Sequence, residues 1–197
     1  MKCLVVVAHP FRESLSSALA ASAAEALRQA GREVWLEDLH RDEFAAALTG
    51  TERASYYGRP YDSSAVRPSI DRLVAAEGLV VCFPTWWFGF PAILKGWFDR
   101  VWAPGATYDH ADDLGPITGR LRNLRRTLAV TSLGAPRRVD WLALRRPAPR
   151  VLKTAILGAG APACKFDMLT IYKAERLRRD QVDRLSARMK ARLAGWK

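Results

Sequence analysis

KCLVVVAHPFRESLSSALAASAAEALRQAGREVWL, residues 2–36, is the stretch that decides the fold. Residues 2–8 form an apolar run after Lys2 that stops at His9-Pro10. A run of that length without alternation reads as a strand buried on both faces, as in a parallel sheet. From Ser14 to Ala30 the chain is rich in Ala and Leu, and Leu15, Leu19, Ala23 and Leu27 fall on one helical stripe, with Gly31 placed to close it. Glu33 to Leu36 then reads as a second short strand. The order β-loop-α-β opens a doubly wound α/β fold.

Working outward, residues 39–66 are polar, rich in Tyr and without a clear period, an excursion with room for short helical turns. Residues 68–76 are expected to be helical, and Gly78 leads into a third strand over Leu79 to Phe83. An amphipathic helix is expected over residues 92–102, then a loop from Ala106 to Arg126, and a fourth strand over Leu128 to Thr131. Residues 141–157 read as helical around a break at Pro147-Ala148-Pro149, Phe166 to Tyr172 as a fifth strand, and Glu175 to Leu193 as a closing charged helix. The expectation is one domain over residues 1–197. Three strands end in loops, after residues 8, 83 and 131, and ligands of open parallel sheets bind outside the carboxyl ends of strands.

Bulk properties narrow the class. With 197 residues and 49% apolar side chains, one sizeable core fits. The apolar runs at Leu4 to Val7 and Leu79 to Phe83 are too short to span a bilayer. The N-terminal run meets charged Arg12 and Glu13 without a small-residue cleavage pattern, so a cytoplasmic protein is expected. Cys3 and Cys82 sit in strand-like runs and read as small core residues, with no disulfide framework or zinc spacing among the three cysteines. A net charge of +11 can attract nucleic acid or an anionic membrane. The Arg residues are dispersed and no nucleic-acid motif accompanies them. A merely basic surface that draws anionic cofactors is expected, with no nucleic acid and no membrane insertion.

Two loops carry chemistry on their own residues. In Ala8 to Leu19, Ser14 stands where a helix begins and Ser16 and Ser17 follow in its first turn. A helix N-terminus offers free N–H groups and a positive dipole end suited to phosphate, with His9 able to point into the same space. The plainer alternative is an N-cap serine beside a loop histidine. In Phe83 to Trp102, Trp86, Trp87, Phe88 and Phe90 crowd between Pro84 and Pro91. Such a cluster at a strand end is costly in water, so it covers a flat apolar ligand, a dimer partner or both, unless it is only a core corner. Ile93, Leu94, Trp97, Phe98 and Val101 share a helix face and read as core.

The same residues carry a resemblance. Phe83-Pro84, then Trp87-Phe88-Gly89, then Pro91-Ala92, Leu94-Lys95-Gly96-Trp97-Phe98 and Asp99-Arg100-Val101 resemble the signature of the NAD(P)H:quinone oxidoreductase branch of the flavodoxin-like fold family. Ala8-His9 with Ser14, and Thr131-Ser132 with Gly134, are similar to that family's first and third loops. The resemblance spans roughly residues 2–135. It implies a five-stranded parallel sheet of order 2-1-3-4-5 with helices on both faces. It also implies FAD, or alternatively FMN, as cofactor, NADPH or NADH as co-substrate, and two-electron hydride transfer to a quinone-like acceptor. His9, Ser14 and Ser16, with Leu15 beside them, would hold the flavin pyrophosphate. Pro84, Thr85, Trp86, Trp87 and Phe88 would run along the isoalloxazine and ribityl chain. Thr131, Ser132 and Gly134 would hold the other ring edge, where donors meet the charge that appears on reduction.

One departure stands out. The family's tyrosine and histidine after the third loop are missing: no histidine follows His110, and no tyrosine lies between Tyr108 and Tyr172. Tyr108 and His110 are the candidate catalytic substitutes, reaching the site from another direction such as across a homodimer interface; the plainer alternative is a solvated loop. Asp109, His110, Asp112 and Asp113 match no standard metal spacing, so no metal is expected. Gly158 to Ala163 imitates a dinucleotide fingerprint, but Pro162 breaks the required helix start, and a turn is expected there. Two other functions remain open: a biosynthetic flavin enzyme acting on one metabolite, and a regulatory flavoprotein subunit of a transporter.

Overall fold

A computed structural model describes residues 1–58, 60–111 and 115–196. Its centre is a sheet of five parallel strands: β1 (Lys2–Val7), β2 (Glu33–Asp38), β3 (Gly78–Pro84), β6 (Arg126–Leu133) and β7 (Lys165–Tyr172). Their spatial order is β2-β1-β3-β6-β7, the predicted 2-1-3-4-5 counted over sheet strands alone. A separate two-stranded ribbon joins β4 (Tyr108–Asp109) and β5 (Thr118–Gly119).

The sequence of β1 explains its place. Successive side chains of a strand point to opposite faces. Cys3, Val5 and Val7 therefore enter one core with α1 (Leu15–Gln29) and α7 (Arg179–Ala194), while Leu4 and Val6 enter another with α3 (Arg67–Ala75) and α4 (Ala92–Val101). Every side chain of β1 after Lys2 is buried, hence the unbroken apolar run. β3 is buried along its whole length for the same reason. Burial of each such Val or Leu contributes about 1.5–3 kcal/mol.

Ser14 is the N-cap of α1, its hydroxyl accepting from the Ser17 N–H at 3.1 Å, and Gly31 follows with φ of +73°. The excursion after β2 holds α2 (Gly50–Ala54), started by a capping box between Thr49 and Glu52. Glu52 then reaches Arg100 of α4, Nη2 to Oε1 at 2.7 Å, with both side chains almost fully buried. Burial alone raises the Glu52 carboxyl, but the bonds from Arg100 and Thr49 outweigh it and hold the group below its ordinary value. Gly96 lets this packing close, since a Cβ there would clash with the Ala46 carbonyl.

Three local expectations are corrected. The loop expected over residues 106–126 contains the β4–β5 ribbon, and Tyr108 is buried in the core. The helix expected over residues 141–157 breaks at Arg145 and Arg146, both left-handed at φ of +54° and +55°, rather than at the prolines. Pro147 instead starts α5 (Pro147–Arg150), where its missing N–H costs nothing. That helix continues through a π-helical stretch, Val151–Leu157, into α6 (Gly158–Gly160). Gly158 to Gly160 is thus a helix end, and the turn follows it. A Cβ on Gly160 would strike the Trp102 indole at 2.6 Å, so that glycine serves packing rather than nucleotide binding.

Candidate functional site

The carboxyl ends of β1, β3 and β6 lie side by side, because β3 pairs with β1 on one edge and β6 on the other. The first loop brings His9 against the second, its ring 6.4 Å from Trp86 and 5.8 Å from Phe11. The Phe11 N–H donates to His9 Nδ1 at 3.1 Å. At the start of α1 the Ser14 and Ser17 hydroxyls are 2.8 Å apart, Ser16 is buried, and the first turn carries no acidic side chain. The N-cap role of Ser14 is therefore realised. The donor set around it, hydroxyls and a positive helix end without a carboxylate in the first turn, also fits a phosphate.

Burial lowers the His9 imidazole below its ordinary value, and neighbouring His40 lowers it further. The unfolded chain then takes up that proton first. The His9 contribution to stability is complete above about pH 6.5 and is lost as pH falls below it. Urea denaturation at pH 8 and pH 5 should show wild type losing more stability than His9→Gln over that interval; equal losses would remove His9 from this account.

The second and third loops are tied together by their threonines. Thr131 Oγ1 donates to the Phe83 carbonyl at 2.9 Å, so Thr85 Oγ1 donates to Thr131 Oγ1 at 2.6 Å. The Thr85 N–H reaches the Ser132 carbonyl at 2.7 Å. Thr131→Val keeps the shape but leaves the Thr85 hydroxyl and the Phe83 carbonyl short of a partner. It should cost roughly 1–3 kcal/mol in chemical denaturation; no measurable change would mean water replaces the bond freely.

The aromatic loop is a strained turn. The Gly89 N–H bonds the Trp86 carbonyl at 2.9 Å, and both residues between them are left-handed, Trp87 at φ of +50° and Phe88 at +60°. Side chains rarely sit there, and each such residue costs about 1–3 kcal/mol. Trp87 is fully exposed and Trp86 is 45% exposed, whereas Phe90 turns inward onto Phe83 and Phe98. The loop is therefore a core corner at Phe90 and an unsupported aromatic wall at Trp86 and Trp87. Pro84 is the last residue of β3, Leu15 opens α1, and Gly134 is exposed beside Glu175, whose Oε1 a Cβ on Gly134 would meet at 3.0 Å.

Tyr108 and His110 lie elsewhere. His110 borders a cavity of about 580 Å³ whose lining includes Tyr56, Tyr57, Tyr61 and Arg120 and none of the proposed flavin contacts, while Tyr108 lies buried behind it against the His110 ring. The His110 ring sits 5.1–5.5 Å from those of Tyr57, Tyr108 and Tyr56, and Tyr108 and Tyr56 share a hydroxyl hydrogen bond. Burial pushes the Tyr108 phenol far up and the Tyr61 phenol to about 12. His110 Nε2 and Tyr61 OH are buried without a hydrogen-bond partner among the described residues. Asp112 and Asp113 lie outside the described residues. Among the described residues, no three His, Cys, Asp or Glu side chains converge as a metal site.

One cluster beside the third loop escaped the sequence reading. Tyr172, paired in the sheet with Leu133, donates its hydroxyl to buried Asp140 at 2.7 Å and accepts from Trp141 Nε1 at 2.9 Å. Burial raises this phenol, and the Asp140 bond adds to the effect. No spacing announces the trio, since strand register rather than sequence distance brings Tyr172 to the loop.

A family model described as flavodoxin-like fold matches residues 1–193. NAD(P)H dehydrogenase [quinone] 1 of Cavia porcellus is 33% identical over 152 residues, covering 68% of this chain and 54% of that one. The chain spans about half the length of the curated relatives it matches. The solved NAD(P)H:quinone oxidoreductase from Methanothermobacter marburgensis superposes with a TM-score of 0.81 at 25% identity, over 98% of this chain and 95% of that one. Smu.1420 from Streptococcus mutans UA159 superposes at 0.84 over both full chains with 23% identity, a likeness of fold. The expected resemblance is thereby borne out: this chain belongs to the flavodoxin-like fold family.

Proposed function

We propose that this chain is a flavin-dependent NAD(P)H oxidoreductase that passes two electrons to a quinone or similar aromatic acceptor. The observation that carries the reading is the meeting of three loops at one sheet edge, with a left-handed aromatic turn between a phosphate-suited helix start and a threonine-linked third loop. A bound flavin supplies hydride acceptance and donation at its N5. His9, Ser14, Leu15 and Ser16 hold its phosphates through the start of α1. Pro84, Thr85, Trp86, Trp87 and Phe88 flank its ring, and Thr131, Ser132 and Gly134 line the opposite edge. The relatives' names support a quinone acceptor, and His9 with its extended first loop favours FAD over FMN.

Tyr108 and His110 take part from a second copy of the chain. Trp87, Tyr57 and Phe11 expose 100%, 65% and 71% of their surface, a cost in water that a homodimer interface removes. The same contact lets the cavity holding His110 and Tyr61 face the partner's aromatic turn and gives their unpaired polar atoms an acceptor or donor.

Two measurements test this. Heat release and chromatography of the bound flavin should return FAD, and steady-state turnover with NADH or NADPH should reduce simple quinones. A protein that binds no flavin overturns the reading. One that binds flavin but reduces no quinone overturns the acceptor class. Sedimentation should return a dimer; a monomer at micromolar concentration removes Tyr108 and His110 from the reaction.

A further inference from the structure

The stretch just after the third loop combines basic charge with exposed apolar side chains. Residues 137–153 hold six cations, Arg137, Arg138, Arg145, Arg146, Arg150 and Lys153, against one carboxylate, Asp140, and that one is buried under Tyr172. Interleaved with them, Trp141, Leu142, Leu144 and Val151 expose 42%, 79%, 41% and 42% of their surface. A π-helical turn over Val139–Ala143 runs into left-handed Arg145 and Arg146, a conformation that side chains seldom adopt.

The patch is also rigidly anchored. Two guanidinium groups lie over the Trp141 indole, Arg137 at 4.7 Å and Arg146 at 4.5 Å from the ring centre, and its Nε1 donates to the Tyr172 hydroxyl. Beyond it, Arg145, Arg146, Arg150 and Lys153 border a hollow of about 410 Å³. Its carboxylate, Asp167, is already paired with Arg192 at 3.1 Å.

We propose that this patch docks the protein on an anionic lipid bilayer, lying on the surface rather than crossing it. Basic side chains attract the headgroup charge, while Trp and aliphatic side chains enter the headgroup boundary. No described helix is long and apolar enough to cross a membrane, so the contact is peripheral. The charge decides between occupants. A second copy meeting this face about a two-fold axis would set guanidinium against guanidinium. Nucleic acid would use the cations but leave Leu142, Leu144 and Val151 without a role. The docking stands whether or not the redox reading does.

The test uses the intact protein and phosphatidylcholine vesicles with and without phosphatidylglycerol, read by co-sedimentation. Binding should need phosphatidylglycerol. Each Arg138→Gln or Arg150→Gln change should weaken it roughly fivefold. Leu142→Asn/Leu144→Asn should weaken it ~10-fold or more with no loss of folding, since both side chains are exposed. Flavin content and turnover of these variants should be unchanged, which separates failure here from failure of the redox reading. Four results overturn the proposal: no binding to the anionic vesicles, binding indifferent to the leucine changes, dissociation of a dimer by the leucine changes, or tighter binding to duplex DNA than to the vesicles.

Discussion

Replacing Arg100 by Met is expected to destabilise the protein by about 3–5 kcal/mol, the usual cost of stranding one partner of a buried ion pair. Arg100 is 2% exposed and gives Glu52 bonds of 2.7 and 2.8 Å, with a further bond to the Ala45 carbonyl. Without the guanidinium, Glu52 must be buried unpaired or take up a proton, and the start of α2 loses its brace. The loss would consume a large part of a typical stability of ~5–15 kcal/mol. The companion variant Arg100→Met/Glu52→Met should recover most of it, because apolar side chains of similar volume remove the desolvation penalty on both sides. Urea denaturation of the two variants decides. A single variant within about 1 kcal/mol of wild type would mean that water reaches this pair.

Replacing Trp87 by Gly is expected to separate stability from activity. The side chain is fully exposed, so its removal opens no cavity. Its backbone sits at φ of +50°, where glycine is at ease and tryptophan is not. The variant should be as stable as wild type or more so, by ~1 kcal/mol. Turnover of an aromatic acceptor should nevertheless fall roughly tenfold or more, because the wall that orients a flat ring is gone. Strain kept in a wholly exposed tryptophan makes sense where the side chain works on a ligand or a partner. A variant that is stabilised and fully active would make the turn an accident of packing. An unstable variant would mean that Trp87 supports the fold in a way its exposure conceals.

Parts of this molecule were legible in the chain and parts were not, for physical reasons. The apolar runs of β1 and β3 are unbroken because both faces of each strand are buried, so their place in a parallel sheet could be read directly. Ser14 and Gly31 bracket α1 as capping chemistry requires. By contrast, the left-handed pair Trp87–Phe88 carries none of the Gly or Asn that usually marks such a turn. The break falls at Arg145–Arg146 rather than at the neighbouring prolines, because Pro at a first helical position starts a helix as readily as Pro elsewhere ends one. Tyr108 reads as part of a loop, yet the β4–β5 ribbon carries it into the core and its hydroxyl bonds Tyr56, distant in sequence.

The candidate site divides along the same line. The three loops follow from strand order, which periodicity reveals. Side-chain partnerships such as Thr85 with Thr131, or Tyr172 with Asp140, depend on register between strands and on loop closure, which single-chain spacing does not encode. Nor does one chain join the cavity beside His110 to the three loops.

The three loops are proposed to hold a flavin able to exchange hydride with NAD(P)H. Anaerobic mixing of the flavin-loaded protein with NADPH or NADH, followed at the visible flavin absorbance, tests it most directly. Rapid bleaching is expected, and return of the colour when a quinone is added without oxygen. A protein that takes up neither FAD nor FMN, or whose flavin colour persists in excess NADH and NADPH, would contradict it.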